Sequence, residues 1–362
     1  MRIRGYINYG IRLWRKAVYL FFSKIEQQNS VVLFASSESD KFGNIAAIAR
    51  EMERTKKKYF LLDFNVYKNN SIKFYFILAK ARVFVVDAAT FIRVPFCENT
   101  TIIQCWHAGG TYKKVGFDAK VKGKDPEEEE KRIQRLHGSI SYFVCSSDKV
   151  GRTYTHAFRL KQNAALILGL PRLDSFVRKK EHVAPKEYTI LYAPTFRTYG
   201  SNTRWLPALP DAQMIKKRFQ ETVGAPIHLA FRSHPTSPPY TNTEGWEDWS
   251  NLEETVALEQ TSVLVTDFSS IFFDFIFLNR PIIFYVPDYD EYIKCERELY
   301  FSPYDLFPDT ICNDEESLLD QIILCKNKIV NYSSIWEKYM GATDGFSSQK
   351  IVSFIDTLMM GK

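Results

Sequence analysis

No apolar run in this 362-residue chain is long enough to cross a bilayer, and no two of its six cysteines form a C-x-x-C. A spanning helix needs roughly 20 apolar residues. Near the N-terminus the longest uncharged apolar run, Ala17–Phe22, has six. A secretory leader would need about 7–15 apolar residues and a small-residue cleavage site, and neither is present. The cysteines (Cys97, Cys105, Cys145, Cys295, Cys312, Cys325) are too sparse for a disulfide scaffold and lack paired zinc spacing. They read as reduced thiols in a cytosolic setting. The phosphate-cradling G-x-x-x-x-G-K-[ST], the dinucleotide G-x-G-x-x-G and the G-x-S-x-G elbow are all missing. With no H-x-x-x-H and no acidic cluster either, neither a metal nor a cofactor is expected.

What the chain does have is apolar mass and a lopsided start. Its 45 % hydrophobic and 15 % aromatic content supports a large core and excludes a disordered or collagen-like chain. At about 150 residues per domain, the length suggests two domains. Formal charge is +6, and residues 1–24 alone hold six basic residues (Arg2, Arg4, Arg12, Arg15, Lys16, Lys24) and no acid. The remainder carries 42 basic residues against 42 acidic ones, so an evenly basic nucleic-acid binder is excluded. Within the start, Ile7, Ile11, Trp14, Val18, Phe21, Phe22 and Ile25 recur at helical spacing. That predicts an amphipathic helix over residues 1–28. A basic helix with Trp and Phe on its apolar face suits an anionic membrane surface; the other reading is an ordinary first helix packed on its own domain.

Strand-like runs follow at Ser30–Ala35, Tyr59–Leu62, Val83–Asp87, Thr101–Trp106, Tyr142–Cys145 and Leu166–Leu168. A second series occupies Thr189–Tyr192, Ile227–Phe231, Ser262–Thr266 and Pro281–Val286. Several are continuously apolar, as buried strands of parallel sheets are. Alternation with helical stretches predicts α/β architecture: two domains with parallel sheets facing a central cleft. Ligands then bind at the carboxyl ends of strands. Expected boundaries are an N-terminal domain over 29–180, a C-terminal domain over 187–345 and a last helix over 346–362. Lys120–Arg132 reads as a charged loop entering a helix with an acidic first turn, and the proline-rich Ser233–Trp249 as largely loop.

Three segments carry chemistry. In Gln104-Cys-Trp-His-Ala-Gly-Gly-Thr-Tyr-Lys-Lys-Val-Gly116 a strand ends just before His107. Gly109 and Gly110 then allow close backbone approach or positive φ, and Lys113 and Lys114 follow. A histidine, bare amides and two ammonium groups suit an anionic substrate whose hydroxyl partner must lose a proton; a structural histidine beside a tight turn is the alternative. Phe231-Arg-Ser-His-Pro235 places Arg232 and His234 at a strand end, where Arg can fork onto phosphate and His can exchange a proton. Val265-Thr-Asp-Phe-Ser-Ser270 runs into an apolar helix over Ile271–Leu278. Ser269 or Ser270 would be its N-cap and the helix terminus a phosphate site, while simple capping explains the serines equally well. Asp267, at a strand's end, is harder to explain by capping. His137, His156, His182 and His228 have no partner motif and read as structural.

Together these segments resemble the CDP-glycerol:glycerophosphotransferase family, which builds teichoic-acid-type polymers. Trp106-His-Ala-Gly-Gly-Thr-Tyr-Lys-Lys-Val-Gly116 resembles its W-H-A-x-G-x-x-K-K-x-G pattern, and Ala193-Pro-Thr-Phe-Arg197 its A-P-T-[FW]-R. Arg232-Ser-His-Pro235 resembles K-x-H-P with Arg for Lys. Thr266–Ser270, Phe272–Phe275 and Asn279–Pro281 resemble [ST]-D-Y-S-S-x-x-F-D-[FY] … N-[KR]-P. Further matches lie at Tyr289–Tyr292, Leu299–Phe301 and Asp344–Gly345. The resemblance implies a GT-B-like fold with a donor-binding C-terminal domain and an acceptor-side N-terminal one. The implied reaction is transfer of an alditol phosphate from CDP-glycerol, or CDP-ribitol, to a hydroxyl of a membrane-associated glycan or polyol-phosphate acceptor, with release of CMP. His107 would be the base on that hydroxyl. Arg232 and His234 would neutralise the donor pyrophosphate, and Asp267, Ser269 and Ser270 would hold donor phosphate and glycerol. Arg197 would contact phosphate. Peripheral attachment to the cytoplasmic membrane face is also implied. The chain reads as the catalytic portion alone, which favours a short priming transfer. A GT-B glycosyltransferase using a nucleotide sugar, and a non-catalytic polymer-binding subunit, are the rival classes; the two strand-end histidines weigh against both.

Overall fold

The apolar runs become the strands of two parallel sheets in a computed structural model that describes residues 2–25, 28–35, 43–63, 66, 71–87, 99–119, 125–179, 182, 184–200, 203–234 and 237–361. Cys97, Pro235 and Lys120–Lys124 lie outside the described residues, as do the side chains of residues 2–9, 11 and 12, including Ile7 and Ile11. The first sheet comprises β1 (Ser30–Ala35), β2 (Phe60–Asp63), β3 (Ala81–Val86), β4 (Thr101–Gln104), β5 (Tyr142–Cys145) and β6 (Ala165–Ile167), in the order β2-β1-β3-β4-β5-β6. The second comprises β7 (Thr189–Ala193), β8 (His228–Phe231), β9 (Glu247–Asp248), β10 (Val263–Thr266), β11 (Ile282–Tyr285) and β12 (Ile311–Cys312), ordered β12-β11-β10-β7-β8-β9. The expected α/β class is therefore found. In the second sheet the chain order reverses between β7 and β10, the doubly wound arrangement whose switch point is a ligand site. β9 and β12, two residues each, were not legible as apolar runs; β9 falls inside the stretch expected to be loop.

The chain forms two units, one of residues Met1–His107, Asp125–Arg178 and Gly341–Lys362, the other of Ala108–Lys124 and Lys179–Met340. This grouping differs from the sequential division expected from the sequence in two places. The stretch after His107 packs with the second sheet because Tyr112 inserts among Phe272, Phe284 and Phe301. The C-terminal helix Ser347–Met360 returns to the first unit: Ile351, Val352 and Ile355 enter the core formed by Ile45, Ile48, Met52 and the strands Val31–Leu33 and Val83–Val85. Its first two amides are capped by buried Asp174, which accepts from Ser347 N at 2.9 Å and Ser348 N at 2.8 Å. From Asp125 onward the charged stretch is the expected helix with an acidic first turn. Asp125 caps the helix Pro126–His137 by accepting from Glu128 N at 2.9 Å, ahead of three first-turn glutamates that complement the macrodipole.

Candidate active site

In the second unit, the carboxyl ends of β7, β8 and β10 deliver Thr195, Arg232 with His234, and Asp267. Buried Asp267 accepts from Thr195 N at 2.8 Å and from Phe268 N, so it ties the two central strand ends together. Its other oxygen lies 2.9 Å from Arg197 Nη1. Arg197, 1 % exposed, also forks onto Asp288 (Nε 2.7 Å, Nη2 3.0 Å) and donates to Thr195 O at 2.6 Å. Its guanidinium packs over the Phe268 and Tyr292 rings, which stack at 3.6 Å. Burial would drive Arg197 towards neutrality, but Asp267 and Asp288 outweigh it and raise its pKa further. Asp288 is likewise held below its ordinary value: desolvation opposes ionisation, and the hydrogen bonds from Arg197 and Tyr199 overcome it. Arg197 and Asp267 thus stand buried beneath the strand ends as an ion pair, with the Arg197 donors taken by Asp288 and Thr195 O. This differs from the direct phosphate contacts expected of them.

Two other expectations change. Arg232 Nη1 donates to the carbonyls of Trp249 (2.8 Å) and Leu252 (2.7 Å), so part of its guanidinium anchors the loop before the helix Glu254–Glu259. The helix after Ser270 is one α turn, Phe272–Phe275, followed by a 3-10 turn, Ile276–Leu278. A single turn sums few peptide dipoles. Ser269 Oγ accepts from Ile271 N at 3.3 Å, and the Phe272–Phe275 turn has no side-chain cap. Both serines remain half-exposed, with hydroxyls near the surface.

Gly110 owes its identity to packing, and Gly109 is tightly neighboured. A Cβ on Gly109 would meet Asp274 Oδ1 at 3.2 Å; on Gly110, at φ +56°, it would fall 2.2 Å from the Phe273 ring. A neighbouring residue, not a ligand, occupies that space. Lys114 is paired with Glu298 at 2.6 Å. Lys113 is different: half-buried, its Nζ lies 3.5 Å from Thr195 Oγ1, and its pKa is pushed down to about 8 by burial, with Asp267 partly opposing. The His234 ring meets the Phe196 ring at 5.7 Å, and Arg204 lies over the same ring at 4.5 Å. His234 titrates below its ordinary value through desolvation and then the cations Lys113 and Arg204, although its ring still reaches solvent. Lys113 and Arg204 therefore bring cationic charge to the side of a His234 imidazole held neutral. Arg204 was missed in the sequence because an arginine seven residues past A-P-T-F-R carries no local signal.

In the first unit, His107 is exposed and stacks on Trp106 at 4.8 Å. Trp106 itself has φ +50°, a conformation that costs a bulky residue about 1–3 kcal/mol. Its ring lies among Phe143, Phe158, Tyr154 and His137. His137 is pushed down to about 4 by burial and then Arg132, so it stays neutral there, as a structural histidine should. Among the described residues, no group of three or more His, Cys, Asp or Glu side chains could hold a metal ion.

Residues 17–357 match the sequence family described as CDP-glycerol:poly(glycerophosphate) glycerophosphotransferase. The chain belongs to that family. A teichoic acid glycerol-phosphate primase of Bacillus subtilis (strain 168) is 27 % identical, the alignment covering 99 % of this chain and 100 % of the relative. A teichoic acid ribitol-phosphate primase of Bacillus spizizenii is 30 % identical over 78 % of this chain and 76 % of the relative. Among solved structures, the wall teichoic acid polymerase TagF superposes with a TM-score of 0.77 at 19 % identity, covering 99 % of this chain and 97 % of that one. That likeness is one of fold.

Proposed function

We propose that this glycerophosphotransferase takes CDP-glycerol as donor and passes glycerol phosphate to a hydroxyl of a membrane-associated glycan or polyol-phosphate acceptor. The observation that carries this reading is the group of two cations, Lys113 and Arg204, with the His234 imidazole at the carboxyl ends of β7 and β8, beside the switch point, in a chain of this family. The acceptor oxygen attacks the β-phosphorus and gives up its proton to His107. The bond from that phosphorus to the bridging oxygen breaks, and CMP leaves with the bridging oxygen. Lys113 and Arg204 join His234 at the pyrophosphate in the place expected of Arg232, and fixed donors of this kind meet charge as it develops. His234, neutral through its lowered pKa, donates its ring N–H to the leaving phosphate. The Ser269 and Ser270 hydroxyls hydrogen-bond the glycerol phosphate. Asp267 and Arg197 hold the strand ends on which these groups stand.

The test is release of CMP from CDP-glycerol and from CDP-ribitol, with UDP-sugars as control. CMP formed only when an acceptor is present supports the reading and identifies the alditol; UDP release overturns it.

The pKa of Lys113 adds a pH signature. Its ammonium is present below about 8 and lost above it, so donor affinity should fall between pH 7 and 9. Lys113→Arg should flatten that fall, and Lys113→Met should bind weakly at both ends. Stability should move the other way. The folded state holds this proton less tightly than the unfolded chain, so this residue's contribution to stability rises as pH climbs from about 8 towards the ordinary lysine value of 10.5. Titrating donor affinity and melting temperature together checks both signs.

Among the described residues no helix is long and apolar enough to cross a membrane. The helix Arg2–Ile25 instead buries Tyr19 and sets Phe22 against Phe76 of the helix Ser71–Ala79, while Leu13, Trp14, Leu20, Phe21 and Ile25 form an exposed apolar stripe. This stripe, with the basic residues around it, supports a peripheral seat on an anionic bilayer at the cytoplasmic face. Trp14→Glu with Phe21→Glu should weaken binding to phosphatidylglycerol vesicles by about tenfold or more. Rising salt should weaken the wild type. Undiminished binding by the double variant returns the helix to a purely structural part.

A further inference from the structure

We propose that Asn44, together with Gln104, is a positioning residue for His107, a role that rests on the reading of His107 as the base. The helix Asn44–Arg54 follows β1, so Asn44 lies at the same carboxyl edge of the parallel sheet as the end of β4, from which His107 departs. Asn44, 2 % exposed, donates from Nδ2 to Trp106 O at 2.6 Å and to Cys105 O at 3.3 Å. Its Oδ1 accepts from Arg172 N at 3.1 Å. Both ends of the amide are used, which fixes its orientation with the donor facing the two strand-end carbonyls. From the other side, fully buried Gln104 accepts from Trp106 N at 2.9 Å through Oε1. Trp106 is thereby gripped at its N–H and its C=O in the left-handed conformation.

That conformation is what aims the histidine. A residue at positive φ breaks the strand's pleat, so the following residue is turned out of the ladder. The Trp106 ring sits against Phe143 and Phe158, and the His107 ring rests on its exposed side. Without the Asn44 and Gln104 hydrogen bonds, Trp106 loses the grip on both its N–H and its C=O and would relax towards the strand geometry any large residue prefers. His107 would then move off line by an ångström or more, a displacement that costs a positioned group dearly.

The test uses the full chain with Asn44→Ala, Asn44→Asp, Gln104→Leu and His107→Ala. It reads kcat, CDP-glycerol affinity and the ring 1H–15N signals of His107. Asn44→Asp keeps the acceptor for Arg172 N but sets a carboxylate against two carbonyls. Each Asn44 variant should lower kcat about ten- to hundredfold with CDP-glycerol affinity unchanged. Each should also shift or broaden the His107 signals while those of His156 and His228 stay put. In the His107→Ala background, Asn44→Ala should cost nothing further. An unmoved His107 signal, or an equal loss in both backgrounds, overturns the proposal. Should the Asn44 variants fail to fold, Gln104→Leu must by itself move the His107 signals, and their constancy overturns it equally. A His107→Ala enzyme with wild-type turnover would instead defeat the base reading, and the ring signals would still report whether Asn44 positions the ring.

Discussion

Replacing His107 by alanine should lower transfer by about a hundred- to ten-thousandfold, the usual worth of a positioned general base, while leaving CDP-glycerol affinity within about twofold of wild type. The split follows from where the groups lie. His107 belongs to the first unit, whereas Lys113, Arg204 and His234 all belong to the second. His107 carries no share of the donor's charge in this reading. It acts on the acceptor hydroxyl, and only in the transition state, so its loss appears in kcat rather than in donor binding. The measurement is single-turnover CMP release at saturating donor, alongside calorimetric titration with CDP-glycerol. Lys113→Met should show the reverse pattern, with donor affinity lost first. Wild-type turnover in His107→Ala would leave His107 as a surface ring stacked on a strained tryptophan, and the base would have to be sought elsewhere.

How much of this could be read from the chain depended on how local the cause was. Buried parallel strands announce themselves, because a run such as Val31-Val32-Leu33-Phe34 needs no partner to look buried. The strand-end positions of His107 and His234 were equally legible, since each closely follows an apolar run. Reasons that live across the fold were not. Arg197 looks like a phosphate ligand until Asp288, distant in sequence, is found forked onto it. Gly110 looks like a ligand-facing backbone until the Phe273 ring fills its Cβ position. Arg232 reads as a free fork, and only the Trp249–Leu252 loop reveals that its Nη1 is engaged by carbonyls. Asn44 carries no local mark at all, because its partners at Trp106 and Arg172 are joined to it only by the sheet. The C-terminal helix was legible as a helix, and its return to the first unit follows from an apolar face that needed Ile45 and Ile48 to cover it.

The largest loss of stability should come from Arg197. Removing one partner of a buried ion pair leaves an uncompensated charge and costs about 3–5 kcal/mol. Arg197→Met strands two carboxylates at once, Asp267 and Asp288. In a unit of this size that corresponds to a fall in melting temperature on the order of 10 °C. Arg197→Lys should recover part of it: the charge returns, but the bidentate fork onto Asp288 and the flat packing over Phe268 and Tyr292 do not. Adding Asp267→Asn to Arg197→Met removes one stranded charge and keeps an acceptor for Thr195 N, so the double variant should melt above the single one. A phosphate ligand would behave otherwise. It would lose donor affinity at an unchanged melting temperature, and gain nothing from a change at Asp267. Melting curves of the three variants, with CDP-glycerol titrations well below each transition, decide between the two. Arg197 as the brace of the strand ends requires the stability loss to come first, and donor affinity to be lost only as Thr195, which touches Lys113, is released from Asp267.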